Sequence, residues 1–193
     1  MTNPRVTGSA SLCLLVLAAC SGQGGWSSAS AEDLAARSSQ RERAERARDA
    51  LAKNLLAELS AALAEGGPAR GIVVCSERAP ALAAQVEREQ AVGIGRTSAR
   101  LRSRHNGAPP WAAAHVAGSA TEAAFFVGPG ARLGALFPIR LQPQCVQCHG
   151  KPEELSTEVR AALLDRYPDD RATGFAAGDL RGWFWVEVPA GGS

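Results

Sequence analysis

Six residues in the C-terminal half of the chain, CVQCHG (Cys145 to Gly150), hold two of its five cysteines and one of its three histidines. Any fold this chain adopts must present two thiols three apart, with an imidazole directly after the second. A thioredoxin-like dithiol usually opens a helix after a strand and leaves the histidine unexplained. A zinc site takes four ligands, and the sequence has no second C-x-x-C or H-x-x-x-H to complete one. A disulfide between cysteines this close shuts a loop too small to stabilise much. Covalent haem uses all three groups: two thioethers to the porphyrin vinyls and a proximal histidine on iron. Cys145, Cys148 and His149 therefore read as a haem c attachment site.

That chemistry belongs outside the cytoplasm, and the N-terminus agrees. Arg5 is the one charge before a short apolar run, Ser11 to Ala19. The run falls well short of the roughly 20 residues that span a bilayer, and its charged start and apolar core read as a secretory signal. It closes on Leu17-Ala18-Ala19-Cys20 and Ser21, which resembles the bacterial lipobox, whose cysteine becomes the lipidated N-terminus. The alternative is an ordinary cleaved signal. Residues 1–19 are thus expected to be a lipoprotein signal peptide and Cys20 the lipidation site. Residues 20–31, rich in Gly and Ser, are expected to be a flexible tether with a reach of roughly 17 Å. The anchor holds the protein to a membrane without spanning it. Ser21, in place of Asp, favours the outer membrane and the periplasmic side. A net charge of +2 gives no case for a nucleic-acid partner.

Residues 32–193 read as a single domain. Glu32 to Glu65 has a helical period, with Leu51, Leu55, Leu59 and Leu63 on one stripe and Leu56 alongside, and it stops at Gly66-Gly67-Pro68. Its Arg- and Glu-rich half, Arg37 to Arg48, is expected to project into solvent. Ile72 to Gln90 reads as a second helix, with Pro80 marking a break or a fresh start. Val92–Ser98, Ala123–Val127, Leu133–Leu141 and Gly182–Val188 read as strands, and Glu153–Arg166 as a short helix. Trp183 and Trp185 alternate on one strand face and read as core.

The sixth iron ligand is left open by the residues themselves. The one methionine, Met1, leaves with the signal. His105, His115, Cys75 or no protein ligand remain, and Cys75 has no disulfide partner once Cys145 and Cys148 are alkylated.

Four blocks give the chain a resemblance to a known family. They are Cys75-Ser76-Glu77-Arg78-Ala79-Pro80; Gly95-Arg96-Thr97-Ser98 with Arg100-Leu101-Arg102, Asn106, Pro109 and Trp111; Phe137-Pro138-Ile139 with Cys145 to Gly150; and Tyr167-Pro168-Asp170-Ala172-Gly174 with Gly178-Asp179-Arg181-Gly182. Together they resemble the periplasmic c-type haem domains with a PAS-like fold, long catalogued as a domain of unknown function. The resemblance implies an α+β fold: an antiparallel sheet flanked by helices, with a long N-terminal helix. It also implies Cys75 as the distal ligand. One departure is that Ser103-Arg104-His105 precede Asn106 where the family often has Arg-Asn-Pro, so His105 either competes for iron or replaces a loop residue. On charge grounds, Arg96, Thr97, Ser98 and Arg100 are candidates to hold the haem propionates. Alternatively, Arg96 and Arg100 pair with Asp170 or Asp179. The expected role is sensing of redox state or a small ligand through His/Cys-ligated haem c, with an unidentified redox or signalling protein as partner. The alternative is an electron-transfer cytochrome c. No distal catalytic constellation is legible, so an enzyme is not expected. The anchor reading makes one prediction: Cys20→Ala leaves a soluble exported protein, and membrane association of that variant in cell fractionation would count against lipidation.

Overall fold

The computed structural model describes Met1 and residues 25–191. Cys20, the expected signal peptide after Met1 and the first part of the expected tether lie outside the described residues. In chain order come β1 (Ser27–Ser28), α1 (Ala31–Ala36), α2 (Ser38–Gln90), β2 (Gly93–Thr97), α3 (Ala113–Ala117), β3 (Ala124–Gly128), β4 (Arg132–Arg140), α4 (Val146–His149), α5 (Thr157–Arg166) and β5 (Leu180–Val188). The strands form one antiparallel sheet in the order β1-β3-β4-β5-β2. This is the α+β architecture expected from the sequence.

The span Ser38–Gln90 is helical on both sides of Gly66 and Gly67, whose backbones are not (φ −157°, ψ 22° and φ 69°, ψ −167°). Gly67 occupies a region open almost only to glycine, and Pro68 starts the second arm where its missing N–H costs nothing. The arms turn back on each other. Arg43 Nε donates to the Gln90 carbonyl at 2.8 Å, and Arg78 Nη2 lies 3.1 Å from Glu58 Oε1. Those pairs are 47 and 20 residues apart, which a continuous helix would hold tens of ångströms from each other. Gly71 permits the close approach, since a Cβ there would sit 3.1 Å from Leu59 Cδ1.

The hairpin covers one face of the sheet. Ala44, Ala47, Leu51, Leu82 and Val86 pack against Ile94, Leu133, Ala135, Phe137, Phe184, Val186 and Val188. Trp111, Ala112, Val116, Leu136 and Trp183 form a second layer on the opposite face. Trp183 and Trp185 share that face as expected, Trp183 buried and Trp185 partly so.

Three expectations are corrected. Arg37 to Arg48 does not project into solvent. Gln40, Ala44 and Ala47 are buried on the sheet, and the Gln40 amide donates to the Ala131 and Pro189 carbonyls, both at 3.1 Å. The buried stripe is narrow and made of small residues, so the surrounding charge masked it. Pro80 neither breaks nor restarts a helix; the second arm continues through it, with Ala79 and Leu82 buried on either side. The later part of the tether is also ordered. Trp26 stacks on Trp111 with ring centroids 5.1 Å apart, β1 pairs with β3, and Ser30 caps α1. Gly128 and Gly134 make room for the Trp26 indole, because a Cβ on either would lie within 2.6 and 2.9 Å of it.

Gly67→Ala meets no neighbouring atom, so its cost is purely conformational. We expect it to lower stability by about 1–3 kcal/mol, read as a shifted urea midpoint with an unchanged m-value.

Candidate functional site

Past β4, the chain makes a 3₁₀ turn at Pro143–Cys145 and runs into α4, one turn that carries Cys148 and ends at His149. Gly150 stops it: its N–H donates to the Val146 carbonyl at 2.7 Å, and a Cβ would collide with that oxygen. The two thiols diverge. Cys145 packs with Leu141, Ala172 and Phe175, whereas Cys148 packs on Ile72 and its sulfur lies 3.8 Å from the Pro68 carbonyl at the hairpin turn. Cys75, Cys145 and Cys148 form no disulfide.

The segment Asp170–Phe175 straps this loop in place. Phe175 N–H donates to the His149 carbonyl at 2.9 Å, and Gly174 N–H to the Gly150 carbonyl at 2.6 Å. The Ala172 carbonyl lies 2.7 Å from His149 Nδ1. Arg181 Nε also lies 3.3 Å from that nitrogen, but a carbonyl and a guanidinium N–H cannot both bond it, since one needs a proton there and the other a lone pair. The shorter contact decides: Nδ1 carries the proton, and Nε2 keeps its lone pair. This is the usual arrangement of a metal-binding histidine, whose far nitrogen donates to a carbonyl and fixes the tautomer. Burial, with Arg102 and Arg181 close by, pulls the imidazole pKa down to about 3, so it is neutral near pH 7.

Arg102 ties the strap to the loop. Its Nη2 donates to the Cys148 carbonyl at 2.6 Å and the Ala172 carbonyl at 3.2 Å, and its Nε donates to Asp170 Oδ1 at 3.3 Å. Asp170 Oδ2 stands 3.2 Å from Nη2, near enough for an ion pair though not aligned as a hydrogen bond. Asp170 Oδ1 also accepts from the Ala172 N–H at 2.8 Å. The two side chains are only 13% and 9% exposed, so water screens the pair little.

Beside the loop lies a cavity of about 280 Å³, several times the roughly 30 Å³ share of a water molecule. Leu56, Leu59, Leu63, Ile72, Ile139 and Leu141 supply apolar wall, and Cys145, Cys148 and His149 border it. Three arginines, Arg96, Arg102 and Arg181, reach its lining, and no Asp or Glu does among the described residues. The donor set and the cationic apolar slot fit an anionic, flat macrocycle tethered through the two thiols.

The other sequence-derived candidates separate clearly. Cys75, on the second hairpin arm, lines the cavity, whereas His105 lies exposed in the 3₁₀ turn Arg104–Asn106, outside the lining. His115 packs across the sheet against Trp183 and Phe126. Burial pushes the Cys75 thiol pKa up, opposed by Arg96 and Arg102. Arg96, Thr97 and Ser98 line the cavity, but Arg100 does not, which corrects its assignment to the site. Arg100 lies over the Phe175 ring at 4.1 Å and donates to the Arg171 and Thr173 carbonyls, bracing the strap from outside. The carboxylate expected to pair with Arg96 or Arg100, Asp170, pairs with Arg102 instead. The sequence reading missed the Arg102–Asp170 clamp and did not place Tyr167 and Arg181 at the site, though both line the cavity. Arg102 and Asp170 both stood in the blocks already singled out, but their pairing spans 68 residues and has no local signature. The Ala172 carbonyl has no side-chain signature at all.

A family model described as Tll0287-like matches residues 28–189. The solved structure of the cyanobacterial haem protein Tll0287 aligns with a TM-score of 0.51 and 21% identity, covering 83% of this chain and 97% of that one. At that identity the likeness speaks for the fold. No curated protein matches the chain.

Arg102→Met removes one member of a buried pair and leaves Asp170 without its counter-charge. We expect a loss of about 3–5 kcal/mol in denaturant unfolding. The double variant with Asp170→Asn should recover part of it, giving a non-zero coupling energy in the cycle.

Proposed function

The chain belongs to the Tll0287-like family, and from that premise we propose that it is an exported, lipid-anchored haem c protein of the periplasmic side that reports redox state or a small ligand. The observation that carries the proposal is the pairing of C-x-x-C-H with a carbonyl-fixed His149 imidazole at the rim of an apolar, arginine-lined cavity that Cys75 also lines. The solved relative named as a haem protein adds to it.

Bound covalently, haem would supply a one-electron iron centre. Cys145 and Cys148 would hold it by thioethers. His149 Nε2 is the available proximal donor, and Ala172 keeps it in the right tautomer. Cys75 would be the second protein donor. A thiolate favours ferric over ferrous iron, so the hold of Cys75 on the metal would depend on oxidation state. Cys75 sits two turns beyond the Gly66–Gly67 reversal, on an arm whose turn touches Cys148. Loosening of that sulfur is a local event that the hairpin can relay to a redox or signalling partner. Thr97 and Ser98, in the cavity lining, remain candidate contacts for the propionates.

An electron-transfer cytochrome is the second reading, favoured by the cationic clamp that holds the proximal side rigid. A reversible potential with the same ligands in both oxidation states would select it over sensing.

Expression in a host competent for cytochrome c maturation should yield protein heavier by one haem on mass spectrometry. Replacing Cys145 and Cys148 by Ala should abolish that increment, and its absence from the wild type would overturn the proposal. Cys75→Ser should convert a low-spin ferric paramagnetic resonance spectrum with thiolate character to another ligation state; an unchanged spectrum would reject Cys75 as ligand.

A further inference from the structure

The cavity's cations are not equally occupied. Arg102 is neutralised by Asp170 and satisfied by two carbonyls. Arg181 Nη1 donates to the Arg100 carbonyl at 3.1 Å, and its side chain stands at the His149 end of the cavity. The Ser98 hydroxyl is already engaged, donating to the Arg181 carbonyl at 2.7 Å and accepting from Arg100 N–H at 3.0 Å. Several polar side chains of the lining, the buried Thr97 hydroxyl among them, are left without a partner among the described residues. The Arg96 guanidinium and the Tyr167 hydroxyl are two of these, with neither a hydrogen bond nor an ion pair to any described residue. Strand alternation sends Arg96 to the hairpin face with Ile94, while Gly95 between them lies against the Trp185 ring on the other face. Arg96 and Tyr167 both lie within Coulombic range of Cys75.

A partly buried guanidinium without a partner is a ready contact for an anion. Arg96 shares the cavity lining with Cys75, so an anion held there would compete with Cys75 for the iron. We propose that Arg96 and Tyr167 form a binding site for a small monovalent anion that bonds the iron in place of the Cys75 thiolate. This rests on the haem reading above. The exchange balances: the iron–sulfur bond breaks, the iron–anion bond forms, and the released thiolate keeps its electron pair and takes one proton from solvent. No oxidation state changes, and one negative charge replaces another beside Arg96. Arg96 supplies the charge and Tyr167 one O–H donor, so the site favours an anion over a neutral diatomic ligand of similar size.

Azide titrated into the purified ferric holoprotein, followed in the Soret band, tests this. The proteins are wild type, Arg96→Gln, Arg96→Lys and Tyr167→Phe, each alone and combined with Cys75→Ala, with carbon monoxide on the ferrous form as the neutral control. We expect Arg96→Gln to weaken azide about tenfold or more. Arg96→Lys should retain most of the affinity, Tyr167→Phe should lose about threefold, and carbon monoxide should shift by less than about twofold. Where the native thiolate outcompetes azide, the comparison is read in the Cys75→Ala background, whose sixth position has no thiol. Equal azide affinities with and without Arg96→Gln in that background would overturn the proposal and leave Arg96 to a propionate. So would parallel losses for azide and carbon monoxide. Protein without attached haem, seen before any titration, would instead overturn the function on which the inference rests.

Discussion

The hydrogen bond from His149 Nδ1 to the Ala172 carbonyl is the contact on which the rest of the site depends. It fixes which imidazole nitrogen keeps a lone pair, and it exists because the strap Asp170–Phe175 is pinned against the α4 loop. Arg102 does the pinning, bridging the Cys148 carbonyl, the Ala172 carbonyl and Asp170 from one guanidinium. A planar five-donor group suits that task; a lysine has one nitrogen and could not reach three acceptors in one plane. Because the pair is largely buried, each contact strengthens in the low local dielectric and each would be costly to leave unmade.

The fold delivers these pieces to one pole. The nine residues of β4 run about 30 Å from the Pro129–Ala131 turn to the α4 loop. The first hairpin arm runs the same way, from Gln40, which contacts Ala131 and Pro189, to the turn that meets Cys148. Gly25, whose Cβ position lies 3.2 Å from Pro129, belongs to the pole opposite the cavity, as do the last residues after β5. The Trp26–Trp111 stack fixes the start of the described chain against the sheet. The leucine stripe of the first arm serves two purposes along this axis. Leu51 fills the main core, whereas Leu56, Leu59 and Leu63 become cavity wall.

Local chemistry was legible wherever one short stretch carried the whole reason. Gly66-Gly67-Pro68 announces the end of a helix because two glycines followed by a proline suit little else. The strands around Leu133 and Gly182 show in their aromatic and β-branched residues. Legibility failed where the reason lay elsewhere in the chain. Gln40, Ala44 and Ala47 look like a gap between charges until the sheet is placed under them. Trp26 looks like a lone aromatic in a glycine–serine run until Gly128 and Gly134 open a slot for it.

The amino-acid sequence alone determined the chemistry available: two thiols and an imidazole at fixed spacing, a third thiol far upstream, and the elements that carry them. Covalent geometry and local propensity settle such things within a few residues. Only the tertiary structure decided which distant groups meet. It placed Cys75 at the cavity, with His105 outside it and His115 across the sheet. It gave Asp170 to Arg102, took Arg100 out of the site, and left Arg96 facing the cavity without a carboxylate. Those outcomes follow from how hairpin, sheet and strap pack together, and no stretch of sequence encodes a distance between residues that only packing brings together.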